Sequence, residues 1–281
     1  YSFTQKTKFH YVLVDHNIRQ NSAREAKQVK NLLKKKKINL NIILNKKKIT
    51  KNIQAEARNL RYEMLSNYCR KNKTKTLITA HNLEDQVETF FIRLSRGSGL
   101  KGLSSMHSLN KIDNKTNLYR PLLDIKKKFL IKISKNIFGK YFKDPSNKNL
   151  KYLRTRVRKL KKPLEKSGIE YDQIIKSINN LALSKATLDE YLKSIFKNLI
   201  KKRGKEILLN FQKFREYNKE IQIAIISESI KILKKNYYNS RSKKVDNLIK
   251  NIKKRNFKKT TLGGCIFVLK KDNLCLKIEK T

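Results

Sequence analysis

From Phe9 to Ser95, short apolar runs alternate with stretches of helical spacing, and few architectures accept that order. Phe9 to Val14 is almost continuously apolar, as a strand buried on both faces must be, and it ends at Asp15 and His16. Ser22 with Glu25 three residues later reads as a capping box, after which Ala26, Val29 and Leu33 share one helical face. Leu40 to Leu44 gives a second strand, and from Asn52 the spacing of Ile53, Ala57, Leu60 and Met64 gives a second helix. Thr76 to Ala80 is a third strand. A third helix covers Leu83 to Ser95, with Val87, Phe91 and Leu94 inward and Gly97 as its stop. Strands alternating with helices imply βαβ units, and the fold class is expected to be α/β with a doubly wound parallel sheet.

Beyond Pro121 the character changes. Lys126 to Lys128 open a basic helix, a polar loop surrounds Asp144 to Asn149, and Arg154 to Lys162 holds six basic residues in nine. A chain of 281 residues exceeds the usual size of one domain. The boundary is expected near Pro163, with a nucleotide-binding domain over 1–165 and a mostly helical domain over 166–281. Apolar residues recur at helical spacing from Asp172 to about Lys254, as at Leu188, Leu192, Ile195 and Leu199. The tail returns to strand chemistry. Cys265 to Leu269 and Leu274 to Ile278 flank Lys271-Asp272-Asn273 as a terminal β-hairpin.

The formal net charge of +47, from 69 Lys and Arg against 22 Asp and Glu, repels itself unless a polyanion is near, and nucleic acid is the expected partner. A base-composition bias that inflates Lys should favour Glu as well, yet acidic residues stay few. Aromatic residues at 9%, with only 3 Pro and 8 Gly, argue for a packed globular chain. The three cysteines, Cys69, Cys265 and Cys275, form no CxxC pair and suggest neither a disulfide framework nor a structural zinc. No apolar run approaches the roughly 18 residues of a membrane span and no signal peptide is visible, so a cytoplasmic protein is expected.

In an open α/β sheet, ligands bind beyond the carboxyl ends of the strands. Asp15-His16 follows the first strand and His81-Asn82 the third, with Asp85 one helical turn on. A nucleotide and its Mg²⁺ call for this mixture of carboxylate, polar groups and helix N-terminus. Spacing leaves a second reading open, in which His81 and Asn82 only cap the helix and Asp85 favours its dipole. Glu84 and Glu88 read as solvated helix charges. Arg93 to Gly99 places two cations and a flexible backbone after that helix, suiting phosphate or serving as a plain glycine stop. Arg58 and Arg61 read as polar-side charge on the second helix. Arg154, Arg156, Arg158 and Lys159 suit a nucleic-acid backbone, and Tyr141, Phe142 and Tyr152 either stack a displaced base or belong to the core.

Seven strings in order resemble the PP-loop domain of tRNA(Ile)-lysidine synthases. They are VDHNIRQNSAREA from Val14, NIQAEARNLRY from Asn52, LITAHNLEDQVET from Leu77, RLSRGSGLKGL from Arg93, RPLL from Arg120, DPSN from Asp144 and RTRVR from Arg154. The resemblance covers most of the first 165 residues, and the later half, with TLGGC from Thr261, is similar more loosely. It implies a PP-loop, Rossmann-like catalytic domain using ATP and Mg²⁺, followed by a tRNA-binding domain. The implied reaction joins free lysine to C2 of the wobble cytidine in an isoleucine tRNA with a CAU anticodon, through an adenylated intermediate.

By position, the resemblance implies that His81, Asp85, Arg154 and Arg158 are catalytic, with Asp85 also the metal ligand, and that Asp15, His16, Arg58, Arg61 and Arg96 bind the nucleotide. Two departures bear on this. The SGGxDS string that gives the PP-loop its name is missing, and the chain starts at Tyr1 rather than Met. The expectation is an N-terminally truncated enzyme, inactive where its pyrophosphate cradle is lost. Asn82 and Glu84 stand where the family often has His and Asp. The rival readings are a PP-loop tRNA thiolation enzyme, which generally relies on paired cysteines, and a non-catalytic basic RNA-binding protein. A homodimer is among the oligomeric states left open.

Overall fold

The computed structural model describes residues 8–47, 49–50, 52–142, 149–234, 242–254 and 256–279. Strands β1 (Tyr11–Asp15) and β2 (Leu40–Leu44) pair in parallel, with Tyr11 opposite Leu40 and Asp15 opposite Leu44. A parallel pair needs a crossover, which α1 (Ser22–Lys34) supplies while burying Ala26. Its N-cap is Asn21, whose side chain makes no capping bond, so the capping box expected from Ser22 and Glu25 is not formed. Glu25 instead meets Arg19 at 2.9 Å, a charge-assisted contact stronger than a bond to a neutral amide.

Helix α2 (Ile53–Lys71) buries Leu65, Ser66 and Cys69 and leads into β3 (Thr76–Ile78). Then come α3 (Leu83–Leu94), α4 (Leu100–Leu103), β4 (Leu109–Lys111) and β5 (Asn117–Tyr119). β3 pairs in parallel with β5, whereas β4 pairs with β5 antiparallel, the only pairing so short a link allows. The α/β alternation is as expected. Its sheet is mixed rather than all parallel, and among the described residues β1–β2 and β3–β5–β4 are separate hydrogen-bonded sets.

Helices α5 (Lys127–Phe138), α6 (Leu153–Lys159), α7 (Lys161–Lys166) and α8 (Tyr171–Leu199) follow. The DPSN string lies outside the described residues. Leu83 and the fully buried Val87 of α3 form a core with Tyr171, Ile174 and Ile178. Because that face of α8 packs on α3, the chain divides inside α8, into Tyr1–Ala182 and Leu183–Thr281, later than the composition change near Pro163.

The second unit holds β6 (Ile200–Arg203), β7 (Glu206–Asn210), α9 (Phe211–Glu216), α10 (Lys219–Leu233), α11 (Ser242–Ile252), β8 (Lys259–Leu262), β9 (Cys265–Lys270) and β10 (Asn273–Ile278). The terminal hairpin β9–β10 is present, and it sits in a five-stranded antiparallel sheet of order β6-β7-β10-β9-β8. Strands β6 and β7 occupy a stretch that its spacing assigned to helix. Ile207 and Leu209, both fully buried, alternate at period two, and Gly204 turns the chain between the strands with φ +56°. Their inward face joins Phe267, Leu274 and Leu276 against Ile225, Ile226 and Ile230 of α10 in one core. Among the described residues no helix is long and apolar enough to cross a membrane.

Candidate functional site

The site is assembled at the carboxyl ends of β1 and β3 and closed by arginines from two helices. Asp15, the last residue of β1, is 4% exposed, and its Oδ1 accepts from the backbone N–H of Asn17 at 2.9 Å. Asn17 needs that support, since its φ of +52° is left-handed. Asn45, just after β2, ties the same turn down, its backbone N–H donating to the Asp15 carbonyl and its Nδ2 to the His16 carbonyl. His16 Nδ1 is buried without a partner. Burial pushes the His16 pKa down, Arg61 adds to the effect, and Asp15 opposes it.

At the end of β3, Thr79 Oγ1 lies 2.9 Å from His81 Nδ1. Asn82 then caps α3 reciprocally: its Oδ1 accepts from the Asp85 backbone N–H at 3.1 Å, and Asp85 Oδ2 accepts from the Asn82 N–H at 3.1 Å. Site and cap are therefore the same residues. Asp85 Oδ1 additionally accepts from Arg154 Nη2 at 2.8 Å. Glu88, one turn along α3, accepts from Arg154 Nε at 2.6 Å and from Arg158 Nε and Nη2.

Glu88 overturns its sequence reading. Its side chain is 3% exposed and receives two guanidinium groups, so it is a buried counter-ion rather than a solvated charge. The signal was its place three residues after Asp85, on the same helical face, with Arg154 and Arg158 four residues apart sharing one face of α6. Glu84 is not plainly solvated either: its Oε2 accepts from the Lys127 N–H at the start of α5.

Arg61 is the common neighbour. Its charge is felt by both His16 and His81, and it is itself lowered by burial, with Arg58 and Arg154 repelling it and Tyr62 compensating. The guanidinium groups of Arg58 and Arg61 lie 5.0 and 5.5 Å from the Tyr62 ring centroid, which favours cations. So the structure brings together Asp15, His16, Arg58, Arg61, His81, Asp85, Arg154 and Arg158. Arg96 is not among them. It is exposed in the turn beyond α3, whose last residue, Leu94, already lies about 13 Å along the axis from Asp85 at the standard rise. Phe142 is 38% exposed, with Lys140 Nζ 5.1 Å from its ring centroid, while Tyr152 is half-buried at the N-cap of α6.

Among the described residues no group of three or more His, Cys, Asp or Glu could hold a metal. Both Asp85 oxygens already accept from N–H donors, and the guanidinium groups of Arg154 and Arg158 lie 2.8 and 3.9 Å from Oδ1, so a divalent ion does not fit on Asp85. The excess of guanidinium over carboxylate suits an anion.

A PP-loop domain family model matches residues 2–164, the part of the chain that builds this site. The chain belongs to the PP-loop domain family. Its curated relatives include a tRNA(Ile)-lysidine synthase from Orientia tsutsugamushi, 35% identical over 90% of this chain and 59% of that protein. Others of that description, from Wolbachia pipientis wMel and from the Wolbachia of Brugia malayi, are 32% and 31% identical at the same coverage. This PP-loop chain thus spans about 59% of the length of the relatives it matches. A solved structure, the U34-tRNA thiolase NcsA from Methanococcus maripaludis, is similar at TM-score 0.49 and 18% identity over 61% of each chain, too slight a likeness to bear on chemistry.

Proposed function

We propose that this chain serves the ATP-dependent ligation of lysine to C2 of the wobble cytidine in an isoleucine tRNA with a CAU anticodon, as a cytoplasmic lysidine-forming enzyme. The observation that carries this reading is the gathering of Arg58, Arg61, Arg154 and Arg158 around two imidazoles at the strand ends, in a family whose matched relatives are tRNA(Ile)-lysidine synthases.

In the first step the cytosine O2 attacks the α-phosphorus of ATP and pyrophosphate leaves. In the second, the lysine amine attacks C2, the C2–O bond breaks, AMP carries the oxygen away, and the amine proton passes to solvent. Activation makes a poor leaving group into a good one. The role of these side chains is electrostatic: arginines pre-fixed by Glu88 and Asp85 face the charge that builds on phosphate without having to reorganise. His81, its pKa lowered to about 4, remains neutral and serves as a hydrogen-bond partner to nucleotide or base rather than as a proton store. Mg²⁺ accompanying ATP would rely on the phosphate oxygens, since Asp85 is committed to its N–H donors.

The test is ATP–pyrophosphate exchange and lysidine detection by mass spectrometry with the full-length protein, lysine and the CAU-anticodon tRNA. Exchange that requires this tRNA, and base modification that requires lysine, are expected. Sulfur incorporation would mark a thiolation enzyme instead, and tight RNA binding without exchange would mark a non-catalytic RNA-binding protein.

A further inference from the structure

The buried charge of Glu88 is answered by two cations. Arg120 is 5% exposed and no carboxylate answers it among the described residues. Its place is fixed by the sheet: β5 runs parallel to β3 with Tyr119 opposite Ile78, and the Thr79 N–H donates to the Tyr119 carbonyl at 3.0 Å. Arg120 therefore leaves β5 beside the point where Thr79 and His81 leave β3, and its charge is felt at His81.

The guanidinium is held on one side only. Nη1 donates to the His107 carbonyl at 2.9 Å and, with the Asn110 amide in its satisfied orientation, meets the Asn110 oxygen at 3.0 Å, while the Arg120 backbone N–H donates to the Ser108 carbonyl at 2.8 Å. Nε is buried without a partner. A guanidinium presents Nε–H and Nη–H as a parallel fork that matches two oxygens of a phosphate. A buried cation without a counter-ion is unfavourable until an anion arrives.

We propose that Arg120 is an anion-binding residue of this site, taking the oxygens of one phosphate group of the nucleotide through its Nε edge beside His81. The assignment deepens the ATP reading and rests on it for the identity of the anion. The His107 carbonyl and the Asn110 amide oxygen fix the guanidinium through Nη1, and the charges of Arg58 and Arg61 on α2 are felt at His81 together with that of Arg120. In sequence, RPLL gave a motif without a role. Its first residue acquires one because β5 ends level with β3.

The experiment compares wild type, Arg120→Lys and Arg120→Gln in the full-length protein, measuring affinity for ATP, for inorganic pyrophosphate and for the tRNA by calorimetry, alongside the thermal midpoint. Arg120→Gln is expected to weaken ATP and pyrophosphate by about tenfold or more, the usual worth of a charge-assisted fork, with tRNA affinity unchanged. Arg120→Lys keeps the charge, loses the fork and should fall between the two. It also carries the test should the Gln variant fold poorly. ATP and pyrophosphate affinities equal to wild type in the folded variants would overturn the assignment, leaving Arg120 as a brace for the β4 loop. Loss of tRNA affinity with ATP affinity intact would overturn it in favour of an RNA phosphate. Arg120-dependent ATP binding without lysidine formation would sustain the residue's role while removing the proposed reaction.

Discussion

His81 shows how one side chain is tuned by its place. Burial strips water from the imidazolium and pushes the pKa down from 6.5 to about 4, against the pull of Asp85 and with Arg120, Arg58 and Arg61 adding repulsion. Because the folded value is depressed, the unfolded chain binds the proton more readily between about 6.5 and about 4. This residue's contribution to stability is whole above 6.5 and is lost as pH falls through that window. Urea unfolding at pH 7 and at pH 4.5 should show a drop in midpoint that His81→Gln reduces; an equal drop in both proteins would mean the imidazole is not buried as described. Position alone revealed that His81 follows a strand. That Asn82 and Asp85 cap the helix reciprocally while Asp85 also faces Arg154 depends on side-chain rotamers, which spacing does not encode.

At the scale of elements, α3 is the scaffold. One face carries Leu83 and Val87 into the core with α8, and another presents Asp85 and Glu88 to α6, a seven-residue helix that buries Thr155 and Val157 and offers Arg154 and Arg158. So short a helix is marginal alone and takes its order from packing. Glu88→Ala removes the carboxylate that Arg154 and Arg158 share and leaves them Asp85 alone, and we expect a loss of about 2 kcal/mol in denaturant unfolding, the scale for losing charge-assisted hydrogen bonds. A variant within experimental error of wild type would show that α6 is held by Val157 and Thr155 instead. Most elements of the first unit were legible because strand and helix periods differ sharply. Glu88 was not, since a carboxylate among charged neighbours looks the same solvated or buried until its partner, seventy residues on, is placed. β6 and β7 were hidden for a related reason: lysines on exposed positions give a strand and a helix similar polar spacing, and only Ile207 and Leu209 carry the period of two.

Across the whole molecule, a net charge of +47 sets how it meets a polyanion. If several of these cations contact phosphates, tRNA affinity should fall by about three orders of magnitude between about 50 and about 200 mM salt. Fluorescence anisotropy of labelled tRNA measures this directly, and a nearly flat salt dependence would assign the charge to solvation rather than binding. Which cations belong to the site could not be read from the count. Arg58 and Arg96 look equivalent in sequence, and only the folding of α2 over the strand ends separates them. The three cysteines carry a different consequence. Cys69 lies in the first unit, Cys265 and Cys275 in the second; all are buried, and burial pushes each thiol above its ordinary value. Thiolate is the reactive form, so alkylating reagents must wait for a fluctuation that uncovers sulfur. Each half thereby contains its own intrinsic gauge of breathing, readable by mass without adding a label.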